Sequence, residues 1–293
     1  MTALIVGASG FLGGALVRHA QASGRDVTAT YATRPGTAAD ADWHELDLRD
    51  PAAITDLFDK LAPRAVINAA SRSADWSVTA EGAGRLARAA KAHGSRLVHI
   101  SSDAVFSGRA SPYAESCSPD PLTPYGAAKA AAETAVRLLA PDAVVARTSL
   151  IIGDGASEHE RVVHDLVHGV RTGVVFTDDI RCPVHVDDLA AAVWELAGNE
   201  ARGVCHLGGP EAVSRHELGV LIAERDGLDP KRLPTGRRAD SGLPGGLDVR
   251  LDSRATQRQL RTRLRGAREF LGGQEATSGS SPRTPRRSAM MPR

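Results

Sequence analysis

Gly7-Ala8-Ser9-Gly10-Phe11-Leu12-Gly13 follows the short apolar run Ala3 to Val6 directly and opens a stretch with helical spacing. Glycines suit such a turn because the backbone bends sharply and the helix must pack closely on the preceding strand. A strand, a glycine-rich turn and a helix in this order form the start of a βαβ unit. The stretch therefore predicts an α/β protein built on a parallel sheet.

The rest of the first half repeats this alternation of short apolar runs and longer amphipathic runs. Such alternation is typical of a Rossmann-type, doubly wound parallel sheet. We predict strands at Ala3–Val6, Asp26–Tyr31, Ala65–Asn68, Arg96–Ser101 and Ala143–Arg147. We predict helices after the cap Asp50-Pro51, through Glu81–His93 and through Pro124–Leu139.

The pattern is less regular beyond residue 150, where glycine-rich turns recur. We expect residues 1–150 to form the nucleotide-binding core. Residues 151–271 should form mainly a smaller substrate-binding lobe, with some elements that return to the core. Residues 272–293 are dominated by Gly, Ser, Thr, Pro and Arg, which predicts a disordered tail.

The composition excludes several classes of function. A net charge of +1, from 36 basic and 35 acidic residues, creates no field that would attract a nucleic acid. No apolar run is long enough for a membrane span or a signal peptide, and the three cysteines are far apart. We therefore expect a cytoplasmic protein. We expect no metal site, because no cysteine or paired acid accompanies His159, His164 and His168.

The glycine-rich turn predicts a dinucleotide site, although its GxxGxxG spacing differs from GxGxxG and a ligand-free turn is the alternative. The helix N-terminus would offer free N–H groups and a positive dipole end to a pyrophosphate. The second strand ends in Thr30-Tyr31-Ala32-Thr33-Arg34, without an acid to bind a ribose 2′-hydroxyl. Arg34 with Thr30 or Thr33 would suit a 2′-phosphate. The expected cofactor is NADPH, with NADH as the alternative.

Tyr125 and Lys129 are four residues apart on a predicted helix, so their side chains share one face. The ammonium group is expected to lower the phenol pKa from about 10. A phenol of this kind can protonate the alkoxide that hydride transfer to a ketone produces. Ser102, at the end of a predicted strand, could donate a hydrogen bond to the same oxygen. An exposed helix face without a catalytic role is the alternative.

Together these motifs resemble those of extended short-chain dehydrogenases/reductases, in particular the dTDP-4-dehydrorhamnose reductase branch. The resemblance covers most of residues 1–270. The matching stretches are LIVGASGFLG (4–13), DLRD (47–50), INAA (67–70), HISSDAVFSG (99–108), PYGAAK (124–129), RTSLIIG (147–153) and RCPVHVDDLA (181–190).

The resemblance implies a catalytic triad of Ser102, Tyr125 and Lys129, with Lys129 also holding the nicotinamide ribose. The cofactor contacts predicted from the residues themselves are Gly7, Ser9, Gly10, Phe11, Leu12, Gly13, Thr30 and Arg34. The resemblance adds Asp47, Leu48, Asn68, Ala69 and Ala70. The implied substrate contacts are Asp103, Leu150 and Arg181. Arg181 would contact a substrate diphosphate, or alternatively form a salt bridge with Asp178, Asp179 or Asp187.

The resemblance implies NADPH-dependent reduction of a nucleotide-linked keto-sugar, foremost a dTDP-4-keto-6-deoxyhexose, by a chain that could form a homodimer. Ala104 and Leu150 replace aromatic residues that are usual in the branch, and Thr79 stands where the branch has an asparagine. These departures leave the sugar undetermined. The alternatives are an NAD-dependent sugar-nucleotide epimerase or dehydratase, and a non-catalytic NADP-binding regulatory subunit like the β-subunit of methionine adenosyltransferase.

Overall fold

The strands after the glycine-rich turn assemble into one central sheet. A computed structural model describes residues 3–38 and 41–272 of the chain. Its strands are β1 (Ala3–Val6), β2 (Val27–Tyr31), β3 (Asp42–Glu45), β4 (Ala65–Asn68), β5 (Arg96–Ser102), β6 (Val144–Thr148), β7 (Ile151–Ile152), β8 (Val175–Phe176), β9 (Ile180–Arg181), β10 (Val184–His185), β11 (Gly203–Leu207), β12 (Val213–Ser214) and β13 (Thr235–Gly236). The central sheet has the order β11-β6-β5-β4-β1-β2-β3, and every pair in it is parallel.

Helices cover both faces of this sheet. They are α1 (Phe11–Ala22), α2 (Pro51–Leu61), α3 (Gly82–Ala92), α4 (Pro124–Leu139), α5 (Glu158–Val167), α6 (Val186–Gly198), α7 (Arg215–Arg225), α8 (Arg254–Gln257) and α9 (Ala267–Leu271). None of the helices in the described residues is both long and apolar enough to cross a membrane.

The strand order reverses at β1, which lies between β2 and β4. In doubly wound sheets this reversal opens a crevice at the carboxyl ends of the strands, and ligands bind there. The glycine-rich turn after β1 and the Asn68 end of β4 lie at this edge. The predicted Rossmann-type α/β fold is confirmed.

Two apolar layers hold the sheet. α1 and α6 pack on one face, where the Trp194 indole also donates a hydrogen bond to the Leu16 carbonyl at 2.9 Å. α2, α3 and α4 cover the other face, around Phe58, Leu86 and Val136. Burial of these side chains from both sides accounts for the near-continuous apolar strands.

A separate apolar cluster lies beyond residue 150. It joins α5, α7 and α9 through residues such as Val163, Leu218 and Ile222. α5 and α7 each begin with a capping box, in which a serine side chain and the glutamate three residues on, Ser157 with Glu160 and Ser214 with Glu217, bond each other's backbone amides. Val163, Leu218 and Ile222 also line a cavity of about 280 Å³.

The sequence-based element bounds hold to within a few residues. Asp50 caps α2 by accepting hydrogen bonds from two backbone amides, and α4 has the predicted bounds. The Glu81–His93 prediction became α3 preceded by a π-helical turn, Ser77–Glu81. β3 was missed because Asp-Trp-His-Glu is a polar edge strand, and β11 because Gly-Val-Cys-His-Leu lacks a clear apolar run.

The chain returns to the core after residue 150, since β11 pairs with β6 and α6 packs on α1. The cysteines behave as small apolar residues: Cys182 and Cys205 are buried and Cys117 is half-buried. The predicted disordered tail lies, except for Gly272, outside the described residues.

Candidate active site

The glycine-rich turn leaves no room for side chains at two of its positions. Gly7 has a φ of +79°, and a Cβ there would lie 2.7 Å from the Ala70 backbone nitrogen. A Cβ on Gly13 would overlap the Gly7 carbonyl oxygen. The Gly7 N–H donates to the Thr30 hydroxyl at 3.2 Å, which ties the turn to β2. The glycines thus allow β1, α1 and the chain after β4 to meet closely.

A cavity of about 300 Å³ lies on this turn. Gly10, which directly precedes α1, supplies no side-chain cap, so the first amides of the helix remain available to a ligand. The predicted cofactor residues that line the cavity are Gly7, Ser9, Gly10, Thr30, Asp47, Leu48, Ala69 and Ala70. Phe11 and Leu12 line a larger neighbouring cavity, and Gly13 acts through the close packing just described.

Two further predicted cofactor residues, Arg34 and Asn68, line neither of these cavities. Arg34 is exposed on the loop after β2 and lies outside the cavity lining, so its role toward a 2′-phosphate stays a prediction; Arg49 and Arg72 line the cavity. Asn68 is buried, with its amide nitrogen 3.1 Å from His99 Nδ1, while its Oδ1 accepts a hydrogen bond from the Ala70 N–H. Asn68 therefore holds the backbone of Ala70, which lines the cavity.

Arg49 is not a free cation, because its guanidinium pairs with Asp47 at 2.6 Å. This pairing lowers the pKa of Asp47 to about 2. Both groups keep their charges at any pH near neutrality, so the cavity rim offers a fixed carboxylate beside a fixed guanidinium.

The predicted catalytic residues meet in a cavity of about 700 Å³. Lys129 Nζ lies 6.0 Å from the centroid of the Tyr125 ring, one helical turn away on α4. The ammonium group is buried and donates a hydrogen bond to the Ile100 carbonyl at 2.9 Å. Ser102 ends β5 at the same cavity, with its hydroxyl accepting a hydrogen bond from the Ala104 N–H at 3.1 Å.

The electrostatics of Tyr125 differ from the prediction. Burial raises the pKa of the phenol and the Asp103 carboxylate adds to this rise, while the Ser71 and Ser102 hydroxyls lower it. The expected lowering by Lys129 was therefore wrong in direction, because a helix pattern does not reveal how deeply a side chain is buried. A raised pKa keeps the phenol protonated at neutral pH, which is the form a proton donor needs.

Burial also lowers the pKa of Lys129 to about 8, against an opposing effect of the Glu133 carboxylate. The lysine is then mostly charged at neutral pH. Its charge can stabilise a phenolate on Tyr125 once the proton has left.

Ser71 is a site residue that the sequence analysis missed. It lines both the cofactor cavity and the catalytic cavity. The Thr79 hydroxyl accepts a hydrogen bond from the Arg72 N–H and donates one to the Arg72 carbonyl, at 2.9 and 2.7 Å. Thr79 thus fixes the segment that carries Ser71. A serine in a loop has no local pattern that would have identified it.

Three arginines converge on one buried carboxylate at the far side of the catalytic cavity. Asp179, with 1% of its surface exposed, lies 2.8 Å from Arg181 and 2.9 Å from Arg238. Arg215 Nε is 3.7 Å from the same carboxylate. All three arginines line the cavity. The Asp103 carboxylate lies 3.8 Å from Arg181 Nε, so two carboxylates face three guanidinium groups, and this arginine cluster (Arg181, Arg215, Arg238) leaves positive charge facing the cavity.

Arg181 itself is held by the protein. Besides Asp179, its guanidinium donates hydrogen bonds to the carbonyls of Ile180 and Gly246, at 2.7 and 2.8 Å. Of the salt bridges expected as alternatives, the one with Asp179 is present. Arg215 and Arg238 were missed, because each lies in a different segment without a motif of its own.

The remaining predicted substrate residues line the catalytic cavity. Asp103 is buried, accepts a hydrogen bond from Ser149 at 2.6 Å and lies 3.8 Å from Arg181. Leu150 and Ala104, two of the departures from the branch, are also in the lining. Three histidines have separate partners: His159 contacts Arg215, His164 contacts Asp226, and His168 contacts the His164 carbonyl.

A second, mainly apolar cavity of about 280 Å³ continues beyond the arginine cluster. Val162, Val174, Phe176 and Leu218 line it, and Arg215 and Arg238 are shared with the catalytic cavity. The cofactor cavity, the Tyr125 hydroxyl, the arginine cluster and this second cavity, called here the apolar recess, thus follow one another in that order.

A parallel sheet with this glycine-rich turn, and a Ser-Tyr-Lys group at its carboxyl edge, defines an extended short-chain dehydrogenase/reductase. Within that class the chain belongs to the RmlD substrate-binding domain family, whose model matches residues 1–269.

Named relatives agree with this assignment. The chain is 31% identical to dTDP-4-dehydrorhamnose reductase of Mycobacterium tuberculosis (H37Rv), over 78% of this chain and 77% of that protein. It is also 31% identical to dTDP-4-keto-6-deoxy-D-glucose reductase of Streptomyces niveus, over 82% and 85%. The crystal structure of a hypothetical dTDP-4-dehydrorhamnose reductase from Sulfolobus tokodaii superimposes with a TM-score of 0.78 at 29% identity, covering 89% of this chain and 96% of that one.

Proposed function

We propose that the protein is an NADPH-dependent reductase of a nucleotide-activated keto-sugar, foremost a dTDP-4-keto-6-deoxyhexose. The observation that carries this proposal is a single cavity that joins the Tyr125 phenol to the arginine cluster. A keto group at one end and a diphosphate at the other would match these two features. The relatives' reductase activities support the same conclusion.

The cofactor assignment follows from the fit of the residues. The space kept by Gly7 and Gly13 and the uncapped start of α1 would admit a pyrophosphate. No acid ends β2, and Arg72 in the cavity lining favours a 2′-phosphate over a bare ribose, whereas Arg49 is paired with Asp47. NADH is the weaker alternative.

NADPH, when bound, supplies a hydride to the carbonyl carbon of the sugar. The Tyr125 hydroxyl donates its proton to the carbonyl oxygen as that oxygen becomes an alkoxide. Ser102 donates a hydrogen bond to the same oxygen and so stabilises its growing charge. Lys129, charged and buried beside the ring, stabilises the phenolate that remains on Tyr125.

The substrate would extend away from Tyr125 along the cavity. Its diphosphate would bind the arginine cluster, where guanidinium groups suit phosphate oxygens in charge and geometry. The apolar recess beyond, with Phe176 and Leu218, would hold the nucleobase. Leu150 and Ala104 would contact the sugar and set which epimer is accepted.

The first test is NADPH oxidation with dTDP-4-keto-6-deoxyglucose and its epimerised product, compared between the wild type and Tyr125→Phe. Loss of the proton donor should reduce kcat by about 10²-fold or more. Tyr113→Phe is the matched control, because Tyr113 is buried against Phe106 and its hydroxyl meets only the Ala110 N–H among described partners.

Other outcomes would redirect the assignment. Turnover without release of a tightly held NAD would indicate an epimerase or dehydratase. Tight NADPH binding without oxidation of either sugar would contradict the reductase and favour a regulatory subunit. Equal losses in Tyr125→Phe and Tyr113→Phe would remove Tyr125 from the proton-donor role.

Because NADPH and nucleotide sugars are soluble metabolites, we place the reaction in the cytoplasm, with a small molecule as the partner and with no nucleic acid or membrane surface. A homodimer is the proposed assembly. Light scattering of the purified chain checks it, and a monomeric mass would contradict it.

A further inference from the structure

A fully buried ion pair lies directly below the catalytic residues. Glu133 on α4 and Arg147 on β6 are each 1% exposed. Arg147 Nη2 donates to Glu133 Oε2 at 2.8 Å, and Arg147 Nε donates to Oε1 at 3.0 Å. This geometry is a two-bond contact between a guanidinium and a carboxylate, the strongest form that such pairs take.

Glu133 shares the helix face of the catalytic pair. Tyr125, Lys129 and Glu133 follow one another at four-residue spacing on α4, which aligns their side chains along one stripe. Glu133 Oε1 also accepts a hydrogen bond from the Ser101 hydroxyl at 2.6 Å. Because Ser101 directly precedes Ser102, one carboxylate ties the strand that carries Ser102 to the helix that carries Tyr125.

Arg147 holds this carboxylate from the other side and is itself well anchored. It donates to the Cys117 carbonyl at 3.2 Å and lies 3.4 Å from His206 Nε2. Its guanidinium carbon also lies 4.9 Å from the centre of the Phe106 ring. These contacts hold Glu133 away from a direct hydrogen bond with Lys129, and it acts on the lysine through its charge.

Several charged or titratable groups surround Lys129. Tyr125 and Glu133 come from α4, His99 from β5, Asp103 from the turn after β5, and Arg147 from β6. His99 is buried and neutral, because burial and then the Lys129 charge lower its pKa well below the usual value. Glu133 is the group that opposes the effect of burial on the pKa of Lys129.

We propose that Glu133, held by Arg147, is a positioning residue that keeps the buried Lys129 charged and fixes Ser102 relative to Tyr125. The inference rests on the proposed reductase activity and adds to it a carboxylate that touches neither cofactor nor substrate. A purely structural role is the competing explanation, since buried pairs often serve only packing.

The variant Glu133→Gln separates these explanations. Glutamine keeps the shape and the acceptor for Ser101 but removes the charge. Activity should fall as the pH rises through the pKa of Lys129, which is about 8 in the wild type. This fall forms the alkaline limb of the plot of kcat/KM against pH. Without the Glu133 carboxylate, the alkaline limb should move to lower pH by about one unit. Ser101→Ala keeps the charge and loses only the strand contact, so it should lower kcat without moving the limb.

Asp188→Asn is the matched control. Asp188 lies on α6, is mostly buried and pairs with Arg265 at 2.9 Å. It lines none of the three cavities, so its replacement should leave the pH profile unchanged. An unmoved limb in folded Glu133→Gln would overturn the proposal and leave a structural pair. If Glu133→Gln does not fold, the double variant Glu133→Gln/Arg147→Met also removes the arginine that would be left unpaired. The position of the alkaline limb in this double variant is then the deciding measurement.

A second readout does not depend on turnover. Lys129 is expected to hold the nicotinamide ribose, so NADPH affinity, followed by fluorescence, should weaken above the same pKa. Glu133→Gln should shift this profile downward in the same way. A wild type that binds NADPH but reduces no sugar would contradict the proposed function alone, whereas identical binding profiles in wild type and variant would contradict the role of Glu133.

Discussion

Two buried arginine centres in this molecule have opposite charge balance. In the Glu133–Arg147 pair one carboxylate meets one guanidinium, and both are enclosed by protein. In the arginine cluster two carboxylates, Asp179 and Asp103, face the three guanidinium groups of Arg181, Arg215 and Arg238, and the cluster opens into a cavity. The first centre needs no further ion, while the second has charge left for an anion.

This difference in charge balance distinguishes a pair that positions other residues from a cluster that binds a ligand. Burying unpaired charge is costly, so a balanced pair can lie in the core whereas an unbalanced cluster must face solvent or a ligand. Removal of one arginine should therefore damage the fold at the first centre. At the second it should mainly damage ligand binding.

The largest expected effect is at the balanced pair. Arg147→Ala leaves the Glu133 carboxylate buried without a partner, which should lower the free energy of unfolding by about 3–5 kcal/mol. Urea denaturation followed by circular dichroism measures this change. Arg263→Ala, which breaks an exposed pair with Glu269, should change stability little. A small loss in Arg147→Ala would mean that water reaches Glu133.

The next effect is at the arginine cluster. Arg238→Gln removes one of three like charges around Asp179, so the folded protein should lose little stability. Its KM for the nucleotide sugar should rise by about 10- to 100-fold, because a charged hydrogen bond to a phosphate contributes about 1.5–3 kcal/mol. The test is steady-state kinetics beside a thermal melt. A large drop in Tm with an unchanged KM would reverse the roles of the two centres.

The contrast between the centres also shows what the sequence could reveal. The Gly7 turn, the capped start of α2 and the Tyr125–Lys129 pair depend on residues close together in the chain, and local patterns predicted them. The arginine cluster draws its members from β9, α7 and the segment after β13, so no spacing announces it. These three arginines become neighbours only after the chain has folded.

Burial was the other quantity that the sequence concealed. Asn68 was predicted to line the cofactor, but a neighbouring strand places His99 against its amide. The pKa of Tyr125 was predicted with the wrong sign, because burial of the phenol raises it. In each case the residue type was identified correctly from the sequence, and the tertiary environment of the residue determined its role.

One histidine lies beside an arginine at each centre, and both should respond to pH. His206 lies 3.4 Å from Arg147, and His159 lies 3.2 Å from Arg215. Burial and then the adjacent arginine lower the pKa of each imidazole to about 4. The unfolded value is 6.5, so the unfolded chain binds more protons between these values. Stability should therefore fall as the pH drops from about 6.5 to about 4.

Only one of the two histidines should respond to an anion. Pyrophosphate bound at the arginine cluster would offset the charge of Arg215 and should raise the pKa of His159 by about one unit, whereas His206 is enclosed with a balanced pair and should not change. NMR titration of labelled imidazoles with and without pyrophosphate measures both values. Equal shifts would indicate a general effect of salt, and an unchanged His159 would show that the cluster, despite its excess charge, does not bind a diphosphate.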